Sequence, residues 1–162
     1  MEDVKVKNKG FTLVELLATI TILAIIATIT VPIVINVFQS AEEDAFEDDA
    51  MSLSKAADNY YTAATIDSVA KLPLLVTFND GKETNKYLNN ANKTCETSTE
   101  RLLEYTGQNP DSGNIFIDKN GDVSLAIYDR QARKCAIKNP GDKTVTFTDD
   151  LEAECKLDKD PC

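Results

Sequence analysis

Between Leu16 and Ala41 the chain carries no charged residue, 26 consecutive positions in which apolar side chains are interrupted by little more than threonine, Pro32 and Asn36. About 20 mostly apolar helical residues cross the hydrocarbon core of a bilayer, so this run is long enough to span with some tilt. A helix buried in a soluble core would keep a polar face. Between Leu16 and Ile35 the only polar side chains are Thr19, Thr21, Thr28 and Thr30, whose hydroxyls can bond back to the preceding helical turn. The run also exceeds the apolar stretch of a removed secretory signal, and Glu15 sits at its start, so it reads as a retained span.

The charges are divided unevenly about this segment. Three of the 17 Lys+Arg and three of the 27 Asp+Glu precede Glu42, leaving 14 against 24 and placing the whole net charge of −10 on residues 42–162. A surface this acidic repels phosphates and disfavours direct nucleic-acid binding. Lys5, Lys7 and Lys9 flank the start of the span, whereas only Lys55 lies soon after it. That asymmetry predicts a cytoplasmic N-terminus and an exported remainder. Histidine is absent, which excludes His-based triads and imidazole zinc sites.

Glu15 does not fit a plain anchor. A carboxylate at mid-bilayer costs about 2.5–3.5 kcal/mol, and less near the surface or at a helix N-terminus. Its neighbours supply a context. Lys9-Gly10-Phe11-Thr12-Leu13-Val14-Glu15 followed by an apolar helix resembles the prepilin signal of type IV pilins and pseudopilins. Pro32, 21 residues after Phe11, stands where that family's helix proline falls. The resemblance implies a membrane prepilin peptidase that cuts after Gly10 and N-methylates Phe11, leaving 152 residues. It further implies that Glu15 of one subunit meets the Phe11 amine of another during assembly. The pairing is physically sound, because either charge left alone in an apolar bundle costs several kcal/mol.

Beyond the span, Phe46, Ala50, Leu53, Ala57, Tyr61 and Ala64 recur at helical spacing, the stripe of an amphipathic helix. Continuous helix from Phe11 to about Ile66 would measure about 84 Å, with a bend or loosened turn at Pro32. The resulting division is a leader over 1–10, an apolar helix over 11–41, its amphipathic continuation over 42–66, a connecting region over 67–113, and a sheet with its C-terminal segment over 114–162.

In the connecting region Leu72–Phe78 reads as extended, closed by the turn signal Asn79-Asp80-Gly81, and Ser98–Tyr105 reads as a short helix. Four strands follow, Ile115–Ile117, Val123–Tyr128, Lys134–Ile137 and Thr144–Phe147. Asn120-Gly121 is a two-residue hairpin signal between the first two. Val123, Leu125 and Ile127 alternate with Ser124, Ala126 and Tyr128, giving one face to bury. The expectation is an α+β, pilin-like fold, with a long N-terminal helix packed on a small antiparallel sheet of about four strands. Asp118, Asn120, Asp122, Ser124 and Asp129 mimic a calcium loop, but glycine falls at the fourth position and not the sixth, so a hairpin turn explains them with fewer demands.

Cys95, Cys135, Cys155 and Cys162 all lie in the exported part, with no Cys-x-x-Cys pair. An even count in an oxidising exterior predicts two disulfides, and spacing leaves all three connectivities open. Pilins often tie the C-terminal segment to the sheet. That resemblance favours Cys135–Cys155 with Cys95–Cys162 over Cys95–Cys135 with Cys155–Cys162.

The function expected from the resemblance is that of a structural subunit of a type IV pilus-like surface filament. It would be stored as a single-pass protein of the cytoplasmic membrane and assembled through its apolar helix. Its partners would be copies of itself and related pilins, the prepilin peptidase, and an assembly platform with its ATPase. The alternatives are a pseudopilin of a secretion or DNA-uptake machine, or a monomeric anchored ectodomain. No residue constellation marks an enzyme, a cofactor site or a metal site.

Overall fold

The computed structural model describes residues 10–66, 71–89 and 92–162, so residues 1–9 of the expected leader, with Lys5, Lys7 and Lys9, and residues 67–70 of the expected connection lie outside it. The described chain divides after Phe38 into an N-terminal unit and a second unit over Gln39–Cys162. One helix, α1 (Leu13–Ile66, 54 residues), supplies the first unit from Leu13 onward and the first element of the second. It begins two residues after Phe11 because Thr12 is its N-cap, with the Leu16 N–H donating to the Thr12 carbonyl at 3.2 Å. Pro32 lies inside the helix without ending it.

Seven antiparallel strands make the sheet: β1 (Leu74–Asn79), β2 (Lys82–Asn89), β3 (Thr94–Ser98), β4 (Ser112–Ile117), β5 (Val123–Asp129), β6 (Lys134–Lys138) and β7 (Thr146–Thr148). Their order is β3-β2-β1-β4-β5-β6-β7. The α+β class stands, but the expected four strands are the C-terminal part of a wider sheet, and three further strands lie in the supposed connecting region. The extended Leu72–Phe78 stretch becomes the central β1, paired with both β2 and β4. Asp80 (φ 48°) and Gly81 (φ 70°) turn β1 back into β2, with Asn79 opposite Lys82. Two successive positive φ values make this a tight hairpin of the primed type.

β2 and β3 escape a hydropathy reading because they bury little apolar surface. The buried positions of β2 are Asn85 and Tyr87, and no residue of β3 is fully buried. The expected helix over Ser98–Tyr105 does not form. Its backbone groups bond to β2 instead: Asn85 Nδ2 donates to the Glu100 carbonyl at 2.5 Å, and the Leu102 N–H donates to Glu83 Oε1 at 3.4 Å. Leu103 is thereby fully buried.

The stripe of α1 packs as its spacing predicts. Phe46, Ala50, Leu53 and Ala57 are buried, with Tyr61 and Ala64 partly so, in one cluster with Leu74, Val76, Ile115, Ile117, Leu125 and Ile127. The clean alternation expected for β5 fails, because Ser124 and Ala126 are buried too. Ala126 packs with Cys135 and Cys155, and Leu157 joins that second cluster. The C-terminal segment therefore covers the face of the sheet away from α1. Asn114 anchors it, donating through Nδ2 to the Leu157 carbonyl at 2.9 Å and accepting the Leu157 N–H at 2.7 Å.

Candidate assembly site at the start of the helix

Gly10 and Phe11 are exposed, Phe11 at 81% of its surface. A side chain at Gly10 would meet nothing within 4 Å, so the folded chain itself does not demand glycine there. Four residues after Phe11, Glu15 turns back on Thr12. Glu15 Oε2 accepts the Thr12 N–H at 2.9 Å and the Thr12 hydroxyl at 2.8 Å, while the Glu15 N–H donates to Thr12 Oγ1 at 3.3 Å. This reciprocal arrangement is a capping box. The Thr-x-x-Glu spacing of Thr12 and Glu15 is its signal in the sequence, and it adds Thr12 to the residues expected at this end of the helix.

From Leu13 to Phe38 every residue is exposed. An 18-residue window of α1 has a mean hydropathy of 2.5 and none of it is buried. The threonine hydroxyls are spent within the helix, as expected: Thr19 donates to the Leu16 carbonyl at 2.8 Å, Thr28 to Ala24 at 2.8 Å and Thr30 to Ile26 at 3.0 Å, with Thr21 bonding in the same way. What remains is an apolar cylinder with one carboxylate at its start. Such a surface is stable against lipid or against other apolar helices. Pro32 sits within this stretch and removes one backbone donor.

The other singled-out residues lie in the second unit. Disulfides join Cys95 to Cys162 and Cys135 to Cys155, with Cα separations of 5.9 and 5.7 Å. The first ties the C-terminus to β3 and the second ties residue 155 to β6. Asp118 is held as a turn residue, its Oδ1 accepting the N–H groups of Asn120 at 2.7 Å and Asp122 at 2.8 Å. Asn120-Gly121 is not a two-residue turn. Ile117 faces Val123 across a loop over 118–122, in which the Gly121 N–H reaches the Asp118 carbonyl at 3.4 Å. Gly121 has φ 93° and lies against the Tyr61 ring, which a Cβ would strike.

Charged clasps close the second unit. Arg130 gathers Asp80 at 3.0 Å and Glu152 at 2.8 Å, joining the β1–β2 turn to the C-terminal segment. The hydrogen bond from Arg130 holds the Glu152 carboxyl below its usual range, and that from Lys86 does the same for Asp160. Lys138, with only 6% of its side chain exposed, donates to Ser54 Oγ at 3.0 Å and pairs with Asp58 at 3.4 Å, which pins β6 to α1.

Residues 5–31 match the family described as the prokaryotic N-terminal methylation motif, so the chain carries the prepilin signal of type IV pilins and pseudopilins. No curated protein and no solved structure matches it.

Proposed function

We propose that this chain is a structural, non-catalytic subunit of a type IV pilus-like surface filament, cut after Gly10, N-methylated on Phe11 and assembled through its apolar N-terminal helix. The observation that carries this reading is the exposed apolar cylinder with a single acid four residues after Phe11, within a matched methylation motif. The Thr12 bonds give the Glu15 carboxylate donors inside its own chain. That suits a subunit waiting in the membrane, where an acid without donors is costly. A free Phe11 amine on a neighbouring copy offers an opposite charge, and methylation preserves it, so polymerisation exchanges a neutral partner for a cationic one. The lysines before the span support a cytoplasmic N-terminus with residues 42–162 outside. The two disulfides are consistent with that exterior.

The test is the N-terminal sequence and mass of the polypeptide in fibres sheared from cells. A subunit of a surface filament begins at a methylated Phe11 and sediments with the fibres. A chain beginning at Met1 overturns the reading, and a processed chain that never leaves the envelope identifies a pseudopilin instead. Gly10→Leu should abolish the cut, because a peptidase site that accepts glycine has little room for a branched side chain. Glu15→Ala should leave the cut intact and suppress incorporation.

A further inference from the structure

The face of α1 turned away from the sheet carries a second stripe. Asp44, Asp48, Met51, Lys55 and Asn59 follow one another at steps of four, three, four and four, and all are exposed. Acids occupy its beginning and a cation its later part. Met51, between them, is 51% exposed, and with Ile66 and Leu151 it makes up the large exposed hydrophobics described beyond Phe38. Beside Lys55, α1 and the Arg101–Thr106 segment enclose an open groove of about 640 Å³ whose walls include Lys55, Asn59, Arg101, Glu104 and Tyr105. The Arg101 guanidinium lies 3.9 Å from the centre of the Tyr105 ring and donates to the Tyr105 carbonyl at 3.3 Å. Both contacts fix its position without using a carboxylate. Among the described residues, neither Lys55 nor Arg101 forms an ion pair, and neither does Asp44 or Asp48.

We infer that this stripe is an interface between copies, in which Asp44 and Asp48 of one copy enter the Lys55–Arg101 groove of a parallel neighbour and cover Met51. The inference rests on the filament reading above and deepens it. Copies with parallel helices match their stripes only when displaced along the axis. Seven residues separate Asp48 from Lys55 and eleven separate Asp44 from it, so the displacement is about 10–16 Å at 1.5 Å per residue. An unshifted neighbour would set acid against acid and Lys55 against Lys55, so the charges also select against that register.

Charge reversal in the full-length chain tests this. K55E and D48K should each lower the yield of sheared filaments about tenfold, and K55E with D48K together should restore it to within about twofold. Processing at Gly10 and intact disulfides report whether each variant has folded. A chain carrying Asp48→Cys and Lys55→Cys, treated in filaments with a short bis-maleimide, should give a ladder of covalent multimers. The ladder supports the contact, and its absence overturns the contact, as does full yield from the single reversals. Filaments of the unsubstituted chain are the control. Their failure removes the filament reading itself, whereas filaments indifferent to these charges remove only this interface.

Discussion

The two parts of α1 use one backbone conformation for opposite ends. Between Leu13 and Phe38 nothing is buried, although nearly every side chain is apolar. Between Phe46 and Ala57 six residues are buried in a stretch that also carries acids, lysine and serine. Hydrophobicity by itself therefore does not report what a helix packs against. Its angular distribution does: an apolar surface on all sides needs an apolar surrounding, whereas a stripe needs one facing partner. In the second part that partner is the sheet of the same chain. In the first it has to come from lipid or from other copies.

Breaking the stripe should give the largest effect. Leu53 is fully buried, and Leu53→Asp should unfold the second unit outright, since a buried unpaired charge exceeds the stability margin of most domains. Leu23→Ala, on the exposed cylinder, should leave the thermal unfolding of that unit unchanged. Circular dichroism of detergent-solubilised protein compares the two. Next in size are the disulfides. Closing loops with sequence separations of 67 and 20 corresponds to about 4 and about 3 kcal/mol in the chain-entropy treatment. Reductant should lower the melting temperature of the second unit while the helical signal of residues 13–38 persists.

Thr12→Val keeps the shape of the cap and removes its hydroxyl, which both receives the Glu15 N–H and donates to the carboxylate. Fraying of the first helical turn by about 1 kcal/mol should appear as faster amide exchange at Val14 to Leu16, with Leu53 and its neighbours unaffected. The smallest effect is that of pH on the second unit. Glu152, Asp160 and Glu96 all have carboxyl pKa values lowered in the fold by hydrogen bonds from Arg130, Lys86 and Asn89 respectively. Their contributions are present above the ordinary carboxylate range and are lost as pH falls through the lowered folded values, so the melting temperature should drop below about pH 4. Lys134 behaves in the opposite sense. Its pKa is raised by Glu43, so its contribution holds below about pH 10 and is lost as pH rises through the folded value. These pairs are exposed or only partly buried, and each change should be modest.

What could be read directly tracks how each element stores its information. The apolar run, the helical stripe and β4 to β6 announce themselves through local period, and they appear where expected. β2 does not, because its buried positions are filled by Asn85 and Tyr87. A strand that meets its neighbours through polar groups has no hydrophobic period to detect. Ser98–Tyr105 has reasonable helix-forming residues but surrenders its backbone to Glu83 and Asn85, which stand nearby only after β2 has paired with β1. Ala126 reads as solvent-facing because Cys155 and Leu157, which pack with it, lie some thirty residues later in the chain. The capping box at Thr12 and Glu15 was local and readable.

The sequence alone determined the methylation motif, the uncharged span, the place of its acid and the amphipathic stripe, since each is written in residues within a few turns of one another. Tertiary structure decided the width of the sheet, the fate of residues 98–105, the cysteine pairing and the wrapping of the C-terminal segment. Those outcomes depend on backbone and side-chain groups brought together across 15 to 67 residues of chain. No local pattern encodes such a meeting, because the free energy that selects it exists only once the strands have paired.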